Sequence, residues 1–366
     1  MRTSTNIRLM TIAGTITFGA PALAQVSWQA APLHTPDLWT DTTVTSCTGP
    51  HQYGYVFAPT PGWLPAKWDR TADSLVTFNV AQFGWTGGQI HGASGSNQAG
   101  WVNRGAVAQH AAAWSGTADS FRDLHPTVGG YLASEARGIR GSVVVGTAWT
   151  TNGTRHAATW NLQSNSFVDL HPAGTSLSGA VASDGVRQGG AAYFLAPNNY
   201  HAVVWNGSAT NYLDLNPSGA RESGISGMAP GTQVGAAKFG VTTVAALWHD
   251  TPDSFINLAP AGATRSSLNA TLGDVHAGYA SINGTRAGVW FGEDPDSFVD
   301  LHKLLPPGFD ASIAYSISRE GDTYYVGGIA TRNFHEEAML WVGTVPAPGV
   351  LALASLAGSL AWRRRR

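Results

Sequence analysis

The sequence predicts an all-β fold. It is a seven-bladed β-propeller of four-stranded antiparallel blades, its ring closed by the mature N-terminal strand completing the last blade. Three observations predict it. First, a tryptophan ends a short strand-like run seven times, at Trp68, Trp114, Trp160, Trp205, Trp248, Trp290 and Trp341, at intervals of 46, 46, 45, 43, 42 and 51 residues. Repeats of 40 to 50 residues are the period of propellers and solenoids. Second, the runs between these tryptophans are short, alternating or Ala/Val-rich, and broken by Gly, Asn, Asp and Pro. That is strand-and-turn patterning, not the 3.6-residue period of helical repeats. Third, "DSFRDLHP" at 119–126 returns as "NSFVDLHP", "NYLDLNP", "DSFINLAP" and "DSFVDLH". A catalytic pair is made once per site, so a phrase written five times belongs to the architecture.

Each unit holds four strand-like runs. In the most regular one these are residues 178–185, 188–195, 201–205 and 211–215, followed by Pro217 and a crossover. Four antiparallel strands per repeat make a propeller blade. Inner strands are expected to begin near Thr43, Thr86, Ala133, Ser178, Ser223, Ser267 and Ser312. The seventh unit has no fourth run after Trp341, but residues 26–34, "VSWQAAPLH", read as a lone outer strand. Placed there, they close the ring and leave no open sheet edge at the seam. Six residues separate Trp114 from Phe121, and the same spacing relates Trp160 to Phe167, Trp205 to Tyr212 and Trp248 to Phe255. A hairpin therefore sets each Trp opposite an aromatic, a pair that adds about 0.5–1 kcal/mol beyond area burial. The recurrent "TADS" and "TPDS" read as turns in which Asp and Ser bond their own backbone. Three of four Asn-x-Ser/Thr sequons, at Asn152, Asn206 and Asn283 but not Asn269, are Asn-Gly and read as hairpin turns.

The ends read as addresses. Residues 1–24 have Arg2 and Arg8, an apolar run from Leu9 and the small-x-small signal Ala22-Leu23-Ala24, the pattern of a secretory signal peptide. The propeller is expected over residues 25–342. Residues 343–366 carry Pro346 and Pro348, an apolar stretch over 349–362 and four arginines. Fourteen helical residues span roughly 21 Å, short of a full bilayer crossing. This tail resembles the PEP-CTERM sorting signal of bacterial exported proteins, with Ala347 where that family has glutamate. The resemblance implies a secreted or cell-surface protein, an exosortase-type protease as processing partner, and transient membrane contact through residues 349–362. The texture of His110-Ala111, His156-Ala157 and His201-Ala202 before Trp strands, with "VVVG" at 143–146 and "QVG" at 233–235, resembles the HAF-type extracellular repeat. It implies an exported repeat protein and assigns no activity.

Composition excludes some functions. Net charge is −2 and 12% of residues are charged, with no basic patch for nucleic acid. The single cysteine, Cys47, rules out an internal disulfide, so core packing alone must hold the domain. It reads as a small buried apolar residue on an inner strand. No cofactor motif is written.

Binding residues are expected on the loops between second and third strands and on the blade-to-blade crossovers, which share one face. These loops offer Trp39, Trp63, Trp85, Tyr131, Tyr200 and Phe334, with Arg104, Arg332 and His335. Aromatic platforms with a few hydrogen-bonding groups suit polysaccharide or a protein segment; the alternative is that they cap the blade ends. The first functional expectation is a non-catalytic binding or scaffold protein. The second is a propeller hydrolase or lyase acting on extracellular polysaccharide, for which Glu135, Glu222, Glu336 and Glu337 are the glutamates near that face. Antiparallel register from the Trp–Phe pairs also sets His110 opposite His125 and His156 opposite His171. These are weak metal candidates, because a zinc site wants a third or fourth ligand. The bland reading is that they brace the crossover, and no metal is expected.

Overall fold

A computed structural model describes residues 26–35, 38–60, 62–105 and 109–345. The expected leader, residues 1–24, and residues 346–366 of the expected sorting tail lie outside them, while Gly343 and Thr344 belong to the last strand. Residues 27–344 form seven four-stranded antiparallel sheets. Blade one is Asp41–Thr48, His51–Ala58, Gly62–Asp69 and the two-residue outer strand Val76–Thr77. Blade seven is Ala311–Glu320, Thr323–Arg332 and His335–Thr344, and its outer strand is Ser27–Pro32 from the other end of the chain. The pairing runs from Ser27 opposite Thr344 to Pro32 opposite Met339. The ring is thus closed as the sequence predicts. Described strand ends extend up to three residues beyond the predicted starts, as in Thr175–Ser183 for the run at 178–185.

Cross-strand aromatic pairs form at the predicted register. Trp160 is opposite Phe167 and Trp205 opposite Tyr212. Ring centroids lie 6.0 Å apart for Trp114–Phe121 and 6.0 Å for Trp248–Phe255. The blade tryptophans are buried and form the belt of cores between adjacent blades. In the "TADS" turns the bonding falls to the serine. Ser120 Oγ accepts from the Ser115 N–H and donates to the Thr117 carbonyl, while Asp119 accepts from Gln82 of the neighbouring blade. Asn283-Gly284 has both residues at positive φ, 53° and 106°, as a hairpin Asn-Gly turn requires. Asn269 instead sits on an inner strand.

Every inner strand carries a β-bulge at one register. The extra residues are Thr45, His91, Arg137, Val181, Ser226, Asn269 and Tyr315. A bulge bends the strand and re-aims one side chain. Here it turns seven side chains into the central channel. The bend brings the inner strand so close to its neighbour that the facing residue must be glycine: a Cβ on Gly146 would stand 1.9 Å from the Glu135 carbonyl oxygen. Gly54, Gly100, Gly190, Gly235, Gly278 and Gly328 meet the same obstruction at 1.9–2.1 Å. This explains the repeated glycine of "VVVG" and "QVG". Gly146→Ala is expected to lose about 4 kcal/mol or more in urea unfolding, because the bulge must open to admit the methyl. Gly153→Ala, at a turn with open space around it and φ of 75°, is expected to lose only about 1 kcal/mol.

Candidate functional site

Crossovers and second-to-third-strand loops share one face, because inner strands start there. Among the described residues, twelve large apolar side chains stand out in solvent, and eight of them belong to this face. They include Leu38, Trp63, Val128, Leu195, Val241 and Phe334, while only Val186 sits on the opposite face. The two faces therefore differ in what they offer a partner, since exposed apolar groups gathered on one side mark contact surfaces.

The predicted binding residues divide. Trp85 is 9% exposed; it packs against the His110 ring at 4.8 Å under the Arg104 guanidinium, which bonds the Gly84 carbonyl. Trp39 lies against the core shared by blades seven and one. Tyr131 gives its hydroxyl proton to Asp169 at 2.8 Å, and burial with that carboxylate raises its pKa. Tyr200 stacks edge-on against Tyr193 at 4.9 Å. Arg332 forks onto Glu337 over the Phe309 ring, and His335 lies 3.5 Å from Asp41. These groups brace blade ends.

Two aromatics are left to the solvent. Trp63 is 36% exposed and stands on Phe57 and Tyr55 at 4.5 and 5.2 Å. Phe334 is 99% exposed. It occupies the tip of the Arg332–His335 hairpin with φ of 68°, after Asn333 at 51°. That turn position is one where glycine is at home and a bulky side chain is strained by about 1–2 kcal/mol.

The repeated "DLHP" resolves into a seam between blades. Asp123 accepts the His125 backbone N–H through Oδ1 and His110 Nδ1 through Oδ2, both at 2.8 Å. The His110 and His125 rings stack at 4.0 Å, and those of His156 and His171 at 3.9 Å. The opposition read from the sequence is therefore present. His125 Nδ1 then meets Ser134 Oγ of blade three at 2.9 Å, and the same hydroxyl accepts the Ala111 N–H at 2.9 Å. The chain His156–Asp169–His171–Ser178–Ala157 repeats it. In blade four an asparagine replaces the second histidine: Ser223 donates its hydroxyl to Asn216 Oδ1 and accepts the Ala202 N–H. An amide oxygen can only accept. The hydroxyl proton is therefore spent on that partner, and His125 and His171 act as Nδ1 acceptors in the same place. In both stacked pairs each Nδ1 is engaged, and no cluster of three His, Cys, Asp or Glu close enough for a metal occurs among the described residues.

Burial depresses the pKa of the seam acceptors His34, His125, His171 and His302, and pushes His91 to about 3 and His276 to about 4. A histidine whose folded pKa lies below its unfolded value of about 6.5 supports the fold fully above that pH and less as pH falls through the folded value. Asp169 and Asp184, also depressed, lose their contribution only below about pH 4. His249, raised by the Gly231 carbonyl and Glu293, works in the opposite sense. The melting temperature is expected to be flat above pH 6.5 and to fall between pH 6.5 and 4. His171→Asn, which copies blade four, is expected to keep the fold at pH 7.5 and reduce that fall; an unchanged slope would remove His171 from the account.

Among the described residues, no carboxylate lines the central channel, whose cavity measures ≈730 Å³. Glu135 is buried behind it, taking Arg137 Nε and the Thr147 hydroxyl; Glu222 pairs with Arg221 and Lys238, Glu336 accepts from Thr43, and Glu337 holds Arg332.

No family model matches the sequence and no curated protein matches it. Among solved structures the chain is similar to puromycin hydrolase, with a TM-score of 0.53 and 14% identity over 83% of this chain and 53% of that one. A puromycin-hydrolyzing peptidase of Mycobacterium tuberculosis gives 0.54 and 12% over 86% and 53%. The β-propeller domain of the Trilobed protease from Pyrococcus furiosus, described as having an open velcro topology, gives 0.52 and 5% over 82% and 94%. The chain spans about half the length of the two hydrolases. At these identities the likeness is one of fold, and it agrees with the strand pairing: the chain is a seven-bladed β-propeller.

Proposed function

We propose that this propeller is an exported cell-surface or matrix protein that binds extracellular polysaccharide without catalysis, through the face bearing Trp63 and Phe334. The observation that carries the reading is Phe334: a fully exposed aromatic held at a strained turn where glycine would relax the backbone. Strain retained at an exposed position points to use, because nothing in the fold needs the phenyl ring there. Trp63, fixed edge and face by Tyr55 and Phe57, offers a second rigid aromatic surface of the kind that sugars stack on. The sorting signature supports export. The binding reading is preferred to the enzyme reading because, among the described residues lining the channel, no carboxylate pair stands to work on a glycosidic bond.

The test compares Phe334→Gly and Trp63→Ala with the parent chain on immobilised extracellular polysaccharide. Phe334→Gly is expected to raise stability by about 1 kcal/mol while lowering retention severalfold. Trp63→Ala is expected to lower retention, with a modest drop in melting temperature from the lost packing on Phe57 and Tyr55. Full retention by both variants would overturn the assignment.

A further inference from the structure

The bulge register sets fixed architecture beside free chemistry. Serine or threonine, glycine, alanine and tryptophan recur at their registers from blade to blade. The bulge position carries a different residue in every blade, although each bulge is the same backbone feature. One half of the ring carries Tyr315, Thr45, His91 and Arg137; the other carries Val181, Ser226 and Asn269.

In the first half, Arg137 and His91 keep donors that no protein acceptor takes among the described residues. Arg137 gives Nε–H to Glu135 at 2.6 Å, and no protein acceptor holds its two Nη groups among the described residues. Glu135 is itself fixed by the Thr147 hydroxyl, so the guanidinium plane is oriented before any ligand arrives. Arg140, one turn of the pleat further along the same strand, also lines the cavity. His91 Nε2 receives the Trp101 indole N–H at 3.0 Å. Burial keeps that ring neutral, with a pKa of about 3. Its proton therefore sits on Nδ1, a donor on the channel side. Tyr55 leans on His91 at 6.2 Å and links it to the exposed Trp63. The wall thus holds two arginines, a neutral imidazole donor and two tyrosine rings, with no opposing Asp or Glu. Thr45 and Asn269 already spend their donors on the backbone carbonyls of Ile90 and Ala314.

We propose that the channel binds the carboxylate of a uronic acid, with the Arg137 Nη groups forking onto the carboxylate and the sugar ring lying among Tyr55, His91 and Tyr315. An oriented guanidinium is the geometry that reads a planar carboxylate in two parallel hydrogen bonds. A cavity of ≈730 Å³ lies in the range of small-ligand sites. The aromatic walls argue for a sugar over a bare ion. This inference rests on the polysaccharide reading above and makes the polymer an acidic one.

The test titrates the full chain with glucuronate, digalacturonate, glucose and acetate by calorimetry. Glucuronate and digalacturonate are expected to saturate, with glucose and acetate each at least about tenfold weaker. Arg137→Gln is expected to lower uronate affinity at least about tenfold, and Arg137→Lys, which keeps the charge and loses the fork, to recover only part of it. Arg137 also pairs with the buried Glu135, so Arg137→Gln is expected to melt somewhat lower than Arg137→Lys, and both are assayed well below their melting temperatures. Val186→Ala, on the opposite face, is expected to leave glucuronate affinity unchanged. No saturation by glucuronate, equal binding of acetate, or full affinity in Arg137→Gln would overturn the proposal. Glucuronate binding that needs Arg137, in a chain that is not retained on polymer, would keep the channel site and sink only the surface reading.

Discussion

The ring depends on one hydrogen bond, repeated at its seams. In every blade but the first, a third-strand alanine has a backbone N–H that its own outer strand leaves unmet. That group is buried, and an unmet buried N–H costs about 1–3 kcal/mol. A hydroxyl from the inner strand of the next blade meets it: Ser134, Ser178, Ser223, Ser266, Ser312 and Thr42 accept from Ala111, Ala157, Ala202, Ala245, Ala287 and Ala338 at 2.8–3.0 Å. The bond thus completes one blade and docks it on its neighbour. Blade one shows the dependence by its exception. Its third strand has Pro65 where the others have alanine. Proline has no N–H to satisfy, and the facing position in blade two is Gly88, which offers no hydroxyl.

The histidines follow from this bond. A serine that accepts the N–H still has a proton to give, and His34, His125, His171, His302 and Asn216 take it. Aspartate then holds the strand-three histidine and the turn backbone together. In blade five, Ala259 replaces the second histidine and Val244 the first, yet Ser266 still meets Ala245. The hydroxyl is therefore the constant part, and the imidazoles are reinforcement added where the rim has room. That hierarchy explains why "DLHP" decays along the sequence without the ring failing.

Much of this was legible in the sequence, and the reason is repetition. Seven tryptophans at a near-constant interval, four of them with an aromatic seven residues later, fix strand pairing because cross-strand register is local. The closing strand was legible for the same reason: "PLH" at 32–34 has the ending of the other outer strands, and His34 reaches Thr42 as His125 reaches Ser134. The seam acceptors were not legible, since a serine about twenty residues downstream of an alanine carries no local signal. Nor were the bulges, because a bulge is a property of the pair of strands and only its partner glycine leaves a mark. The nine proposed binding residues were chosen by loop position alone. Loop position does not tell Trp85, which the crossover folds back over His110, from Phe334, which a two-residue turn lifts clear of every neighbour.

Closure also orders assembly. Of the described strands, Ser27–Pro32 is the earliest in the chain and its partner His335–Thr344 the latest, and the seam bond beside them, Ala338 to Thr42, spans 296 residues. Within a blade, pairings join neighbours in sequence and can form as the chain emerges. The seventh seam must wait for all the others, and loop closure over such a length is entropically disfavoured until the intervening blades have shortened it. Six docked blades bring the two ends side by side, which converts a long search into a local one. The chemistry at that seam is the one found at the Ser134, Ser178 and Ser312 seams, a hydroxyl shared between a backbone N–H and an imidazole. The last contact to form therefore needs no special device, only a ring already complete on either side of it.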